Sequence, residues 1–108
     1  MNSKYQVVFC TCPDSDTANL IATTLVDREL AACVNILPGV RSIYRWQNKR
    51  ETSDELLLII KSLIEVYPAL QASILEVHPY ELPEIIALPI AAGLPAYLNW
   101  MDEQINGR

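Results

Sequence analysis

The chain has 108 residues, of which 51% are hydrophobic and 19% charged, and 13 acidic residues stand against 8 basic ones. This length fits one domain, and the composition excludes a disordered chain, because such chains contain few branched aliphatic residues. The net charge of −5 disfavours nucleic-acid binding, which depends on neutralising phosphates. No apolar run approaches the ~18 residues of a membrane span, and the first residues lack the features of a secretory signal. We therefore expect one cytoplasmic domain that binds neither nucleic acid nor membrane.

The first half of the chain predicts a strand, a helix and a second strand. Residues 5–12 are apolar and β-prone, which is typical of a strand. Residues 13–16 offer N-cap candidates, and the next apolar positions have the spacing of an amphipathic helix that ends near residues 28–29. These positions are Ala18, Ile21, Ala22, Leu25 and Val26. The second strand spans residues 33–46 and should bend or bulge at residues 38–39, because proline cannot donate a hydrogen bond to a sheet.

The second half predicts a hairpin turn, two more strands and two more helices. A polar turn at residues 47–50 leads into a third strand over about residues 52–61. Residues 65–77 predict a second helix, and residues 84–90 predict the last strand. A closing helix begins at Pro95 and is expected to bury four apolar side chains, those of Leu94, Leu98, Met101 and Ile105.

This order, β-α-β-β-α-β with a C-terminal helix, is the ferredoxin-like arrangement of an α+β domain, with two helices on one face of a four-stranded sheet. The strands of a monomer should then alternate between apolar and polar residues. Here Val7 and Phe9 face one way and Val8 and Cys10 the other, and residues 56–60 are all apolar. An uncovered second face would exceed the ~300–600 Å² apolar patch typical of monomers. The closing helix is too narrow to cover four strands, so we predict an oligomer.

The thiol and imidazole side chains of the chain belong to three cysteines and one histidine. An odd number of cysteines without framework spacing argues against a disulfide scaffold and fits a reducing compartment. The predicted topology places the end of the first strand, with Cys10 and Cys12, near the end of the second helix, where His78 lies. Copper favours thiolate and imidazole ligands, so Cys10, Cys12 and His78 are the candidate metal ligands.

Each of these residues also has a structural interpretation. Cysteine is among the most commonly buried residues, so Cys10 and Cys33 are also candidates for the core. A histidine at the end of a helix can interact with the helix dipole, which would explain His78. The Cys10-x-Cys12 pair lacks the second pair of ligands that a structural zinc site requires.

Six segments that together span nearly the whole chain carry a more specific signal. They are residues 9–14 (FCTCPD), 30–39 (LAACVNILPG), 42–46 (SIYRW), 55–61 (ELLLIIK), 78–84 (HPYELPE) and 97–100 (YLNW). Their identity and order resemble the CutA divalent-cation-tolerance family. The resemblance implies a homotrimer of ferredoxin-like subunits that is joined by long hairpins of the second and third strands, together with a role in the response to metal ions.

The resemblance also bears on the metal ligands. Some members of the family bind copper through a cysteine that matches Cys10 and through two adjacent histidines before a proline. Only the second of these histidines is present, as His78, because Val77 stands in place of the first. The implied ligand set is therefore Cys10 and His78, with copper or another divalent cation as the metal and no organic cofactor.

The architecture of the family further resembles the PII signalling proteins, which bind small ligands in clefts between subunits. This gives an alternative function, in which Tyr44, Arg45 and Trp46 contact a ligand in such a cleft. The same three residues are also typical of a subunit interface, where aromatic residues and arginine are enriched. We expect no enzyme, because the chain contains no nucleophile elbow, phosphate loop or metal-hydrolase motif.

Overall fold

The computed structural model describes residues 3–106. Its elements follow the predicted order: β1 (Tyr5–Cys12), α1 (Ser15–Asp27), β2 (Cys33–Trp46), β3 (Lys49–Leu63), a 3₁₀ turn (Ile64–Val66), α2 (Tyr67–Val77), β4 (Ile85–Pro89) and α3 (Pro95–Asn106). The four strands form one sheet in the order β2-β3-β1-β4, and all neighbouring strands are antiparallel. The predicted α+β, ferredoxin-like fold is therefore confirmed.

The two faces of the sheet are covered to different extents. On one side, here called the helix face, Val8 and Cys10 of β1 and Leu58 and Ile60 of β3 are fully buried in a core with α1 and α2. The opposite side, here called the open face, carries the alternate residues of the same strands. Its residue Phe9 lies opposite Ile59 and is only partly buried. Both faces are thus apolar, as the strand pattern predicts.

Helix α1 begins and ends where the sequence signals place it. The Asp14 carboxylate caps it by accepting a hydrogen bond from the Thr17 backbone N–H at 2.8 Å, and this bond lowers the pKa of Asp14. The helix ends before Glu29, whose φ of 59° lies in the left-handed region. One position of the predicted apolar stripe differs, because Val26 lies at the edge of the buried surface and is 43% exposed.

The β2–β3 hairpin is longer than predicted. Its turn consists of Gln47 and Asn48 alone, with φ values of 51° and 66°, the positive values that a two-residue turn with the twist of a hairpin requires. The prediction of a four-residue turn was therefore wrong, and residues 49 and 50 belong to β3. The predicted bulge is present as a register shift between Leu37 and Val40, and Gly39 there has a φ of 80°.

The later elements differ from the predictions only at their ends. The segment predicted as one helix over residues 65–77 begins with the 3₁₀ turn and becomes α-helical at Tyr67. Pro68 lies in the first turn of α2, where a missing backbone N–H costs no hydrogen bond. Strand β4 has five residues rather than seven. No helix within the described part of the chain is long and apolar enough to cross a membrane.

Helix α3 packs against β3 and covers one end of the open face. Met101 and Ile105 are buried, as predicted, and Leu98 is partly buried. Leu94 was wrongly predicted to be buried, because it precedes the helix and is 70% exposed. At the far edge of the sheet, Ile86 of β4 remains 52% exposed. One helix thus leaves part of this face uncovered.

Candidate functional site

A cleft of about 580 Å³ lies between the β2–β3 hairpin and the segment that joins α2 to β4. Thr11 of β1, residues 42–46 of β2, Glu55 of β3, residues 80–82 and Glu84 line this cleft. The three residues predicted as ligand contacts, Tyr44, Arg45 and Trp46, therefore lie in the wall of a single cavity. Their role as ligand contacts stays a prediction.

The pairing of β2 with β3 explains which side chains face the cleft. Below the bulge, Val40 pairs with Glu55 and Tyr44 pairs with Glu51, so the even-numbered residues of β2 share a face with the odd-numbered residues of β3. The Tyr44 hydroxyl lies 2.8 Å from the Ser53 hydroxyl on this face. The hairpin thus presents two aromatic rings, Tyr44 and Trp46, on the side where Glu55 lies.

Glu55 is the most unusual residue of the cleft. It is 8% exposed, and no other acidic residue between positions 3 and 106 is buried. The Tyr80 hydroxyl donates a hydrogen bond of 2.7 Å to Glu55 Oε2. Burial raises the pKa of Tyr80, and the hydrogen bond to the carboxylate raises that pKa further, because it stabilises the protonated phenol. The raised pKa keeps the Tyr80 hydroxyl protonated near neutral pH, as its role of donor to Glu55 requires.

His78 holds Tyr80 in place. Nδ1 of the buried imidazole accepts a hydrogen bond of 3.2 Å from the Tyr80 backbone N–H, and the rings of His78 and Tyr80 lie 4.7 Å apart. Since Nδ1 is the acceptor, Nε2 carries the proton and donates it to the Thr11 carbonyl oxygen at 2.8 Å. Both ring nitrogens therefore have partners, and the ring connects the end of α2 to the end of β1.

Cys10 lies next to this histidine. Its Sγ is 3.7 Å from the Thr11 carbonyl oxygen, the same atom that accepts from His78. Cys10 is fully buried, and this burial raises the pKa of its thiol to about 12. The structure therefore brings the two predicted metal ligands together, but it holds one as a thiol and the other as an imidazole without a free lone pair.

This arrangement does not fit a copper ion as it stands. Copper requires a thiolate and an imidazole lone pair, and Cys10 and His78 offer neither in this conformation. Within residues 3–106, no three side chains of His, Cys, Asp or Glu form a group that could hold a metal ion.

The remaining two cysteines lie on opposite faces of the sheet. Cys12 is buried on the helix face, where burial raises the pKa of its thiol to about 11. Cys33 lies on the open face near Tyr97 and is only partly buried, so the prediction that it belongs to the core holds only in part.

Sequence reasoning missed the four ionisable residues of the cleft besides Tyr44 and Arg45, namely Glu55, Tyr80, Glu81 and Glu84. All four lie in segments that carry the family resemblance, which was the available signal. Glutamate is almost never fully buried, and alternation along β3 indicates only which side Glu55 faces. Its burial depends on Tyr80, which is 25 residues away in the chain.

Comparisons with known proteins agree with this fold. Residues 6–104 match the family described as CutA1 divalent ion tolerance protein. The divalent-cation tolerance protein CutA of Thermus thermophilus is 48% identical over 98 residues, which cover 91% of this chain and 95% of that protein. Protein CutA of Mus musculus is 45% identical over 95 residues, covering 88% of this chain and 54% of that protein, so the chain spans about half the length of this relative.

A solved structure shows the same likeness in three dimensions. The crystal structure of CutA from Xylella fastidiosa has a TM-score of 0.93 and 44% sequence identity, and the match covers 96% of this chain and 100% of that chain. Because the family match and these relatives extend over nearly all of β1 to α3, the chain belongs to the CutA1 divalent ion tolerance family.

Proposed function

We propose that this chain is the subunit of a homotrimeric, cytoplasmic binding protein that takes part in the response to divalent cations. Its ligand site is the cleft between the hairpin and residues 80–84. The observation that carries this proposal is the hydrogen-bonded pair of Glu55 and Tyr80 in the wall of a cavity of about 580 Å³. Ligand sites are typically cavities of this size with a few well-placed polar groups among apolar and aromatic ones. The proposed role is binding rather than catalysis.

The uncovered part of the open face supports the assembly. Ile86 and Leu88 of β4 are 52% and 44% exposed on the open face, and Ile43, on the opposite side of the hairpin, is 66% exposed. Exposed apolar patches flanked by aromatic residues and arginine are typical of protein interfaces. A second and a third copy of the chain are the proposed cover for these residues.

Two measurements test the proposal. Sedimentation equilibrium at micromolar concentration is expected to give three times the subunit mass of 12.1 kDa. A folded particle of 12.1 kDa would contradict the assembly. For the cleft, we expect at least one of three classes of small metabolite (neutral, anionic or cationic) to shift the indole N–H signal of Trp46. If no class shifts this signal, the cleft is not a ligand site.

Copper binding by Cys10 and His78 stays a separate prediction, supported by the family resemblance and by their shared contact with the Thr11 carbonyl oxygen. It requires loss of the thiol proton and release of the imidazole from Thr11. The test is a copper titration, in which Cys10→Ala and His78→Ala should each lower the uptake of the parent protein. Parent-like titration by both variants would contradict the prediction.

A further inference from the structure

We propose that the cleft binds an organic ammonium ion, whose charged nitrogen lies against the Glu55 carboxylate. This inference rests on the proposed function, in that the cleft must be a ligand site, and it adds the chemical class of the ligand.

The first argument is that Glu55 is a buried carboxylate without a cation. The ion pairs among residues 3–106 are Lys4–Asp102 and Arg28–Glu76, and neither reaches the cleft. The Tyr80 hydroxyl donates to Glu55 Oε2, whereas Glu55 Oε1 accepts no hydrogen bond from residues 3–106. Oε1 is accessible from the cavity. Buried charges in proteins are normally paired, because removing a charge from water is costly. A bound cation would offset that cost.

The second argument is the aromatic wall of the cleft. Tyr44, Trp46 and Tyr80 all line the cavity, and Tyr44 and Trp46 are 43% and 37% exposed. The faces of aromatic rings attract ammonium groups, and the attraction increases when water is excluded. A carboxylate combined with aromatic rings suits a cation that carries hydrocarbon, because the rings also contact its methylene groups.

The third argument is the charge of the remaining wall. Glu81 and Glu84 add two further carboxylates, against which the lining provides one guanidinium, that of Arg45. The cleft therefore carries an excess of negative charge, which favours a cation over a phosphate or a carboxylate ligand.

A metal ion would not satisfy this site. Divalent cations such as Mg²⁺ and Ca²⁺ need several oxygen ligands at about 2.0–2.6 Å, and no three acidic, histidine or cysteine side chains within residues 3–106 converge to that extent. Glu81 and Glu84 thus contribute charge to the wall of the cleft without forming a cage. An ammonium group needs only one carboxylate and an apolar wall, and Glu55 with its aromatic neighbours supplies both.

The test is a titration of the assembled protein with 1,4-diaminobutane at constant ionic strength, followed by the indole N–H signal of Trp46. Trp100, which lies on α3 and does not line the cleft, serves as the internal reference. We expect the diamine to give a saturable shift of the Trp46 signal. The uncharged analogue 1,4-butanediol and magnesium chloride should give none.

The decisive variant is Glu55→Gln, which keeps the shape of the side chain and a carbonyl acceptor for Tyr80 but removes the charge. It should weaken binding of the diamine by about 10- to 100-fold, the usual loss for a charge-assisted hydrogen bond. The matched control is Glu103→Gln on α3, which changes the net charge equally at an exposed position outside the cleft and should bind like the parent.

Three outcomes would overturn the inference. One is an equal shift of the Trp46 signal by the diol or by Mg²⁺, and another is parent-like binding by Glu55→Gln. In the third, a neutral or anionic metabolite binds in the cleft while the diamine does not. The cleft would then be a ligand site, but its ligand would not be an organic ammonium ion. If no class of compound binds there, the proposed function fails as well.

Discussion

The helix face and the open face are built from the same strands, yet they obtain their burial in different ways. On the helix face, α1 and α2 cover β1 and β3 so completely that Leu58 and Ile60 have no exposed surface. On the open face, α3 covers one end and the cleft lies at the other. Ile86, at the edge of this face, stays 52% exposed. The comparison indicates that the chain stabilises itself mainly through the helix face, and the open face is the one that we propose for binding and assembly.

The largest effect is expected on the helix face. Leu58→Ala should lower the free energy of unfolding by about 2–5 kcal/mol, because it leaves a cavity in a core that cannot fully collapse. Urea denaturation measures this loss. The control is Leu75→Ala on the exposed side of α2, where the same substitution at a 52% exposed position should change stability by less than about 1 kcal/mol. Equal losses would mean that the helix face is not the main core.

On the open face, a charge should affect assembly rather than folding. Ile86→Glu is expected to raise the concentration needed for assembly by at least about 100-fold, since a buried carboxylate without a partner opposes association. Sedimentation measures the assembly, and circular dichroism checks that the subunit remains folded. An assembly unchanged by Ile86→Glu would show that this part of the open face stays in contact with solvent.

In the cleft, the loss of one hydroxyl group should lower the free energy of unfolding more than the same loss at an exposed site. Tyr80→Phe removes the only hydrogen bond to Glu55 within residues 3–106 and should lower the free energy of unfolding by about 1–2 kcal/mol, because the buried carboxylate loses a donor. Thermal and urea unfolding measure this change. Tyr67→Phe is the matched control, as its hydroxyl donates to Gln71 at an exposed site and should matter by less than about 0.5 kcal/mol. A similar effect of the two variants would contradict a special role for Glu55.

The smallest effect comes from the thiols of the helix face. The pKa of Cys10 is raised to about 12 and that of Cys12 to about 11, both chiefly by burial. The unfolded chain therefore loses these protons first, at its ordinary thiol pKa near 9, so stability is complete below that pH and declines as the pH rises toward 11 and 12. At pH 10 we expect a loss of about 1 kcal/mol for each thiol.

The measurement that checks this prediction is the change in the free energy of unfolding with pH. Urea denaturation between pH 8 and pH 11 should show a shallower decline for Cys10→Ala than for the parent protein. Cys12→Ala should likewise show a shallower decline. A parent-like slope for Cys10→Ala would show that Cys10 is not protected from ionisation by burial.

Particular residues show how far sequence reasoning reached. The bounds of β1 were correct because YQVVFCTC is β-prone throughout and is followed directly by a proline and the Asp14 cap. The bulge was correct because Pro38 removes a donor whatever its surroundings. The turn was missed because Gln47 and Asn48 adopt positive φ values that only the pairing of β2 with β3 imposes. Cys10 and His78 do lie close together, as predicted, but both side chains form hydrogen bonds with the Thr11 carbonyl oxygen. A backbone atom of this kind cannot be identified from the pattern of side chains in the sequence.

The sequence by itself determined the order of the elements, the two apolar faces of the sheet and the membership of a family, because periodicity and motifs are local properties of the chain. Tertiary structure alone decided that Leu94 stays exposed, that Glu55 is buried, and that Tyr80 and Trp46 line the same cavity as that carboxylate. The physical reason is that burial and electrostatic environment depend on which distant segments meet. Glu55 and Tyr80 are 25 residues apart in the chain and come into contact only in the folded structure.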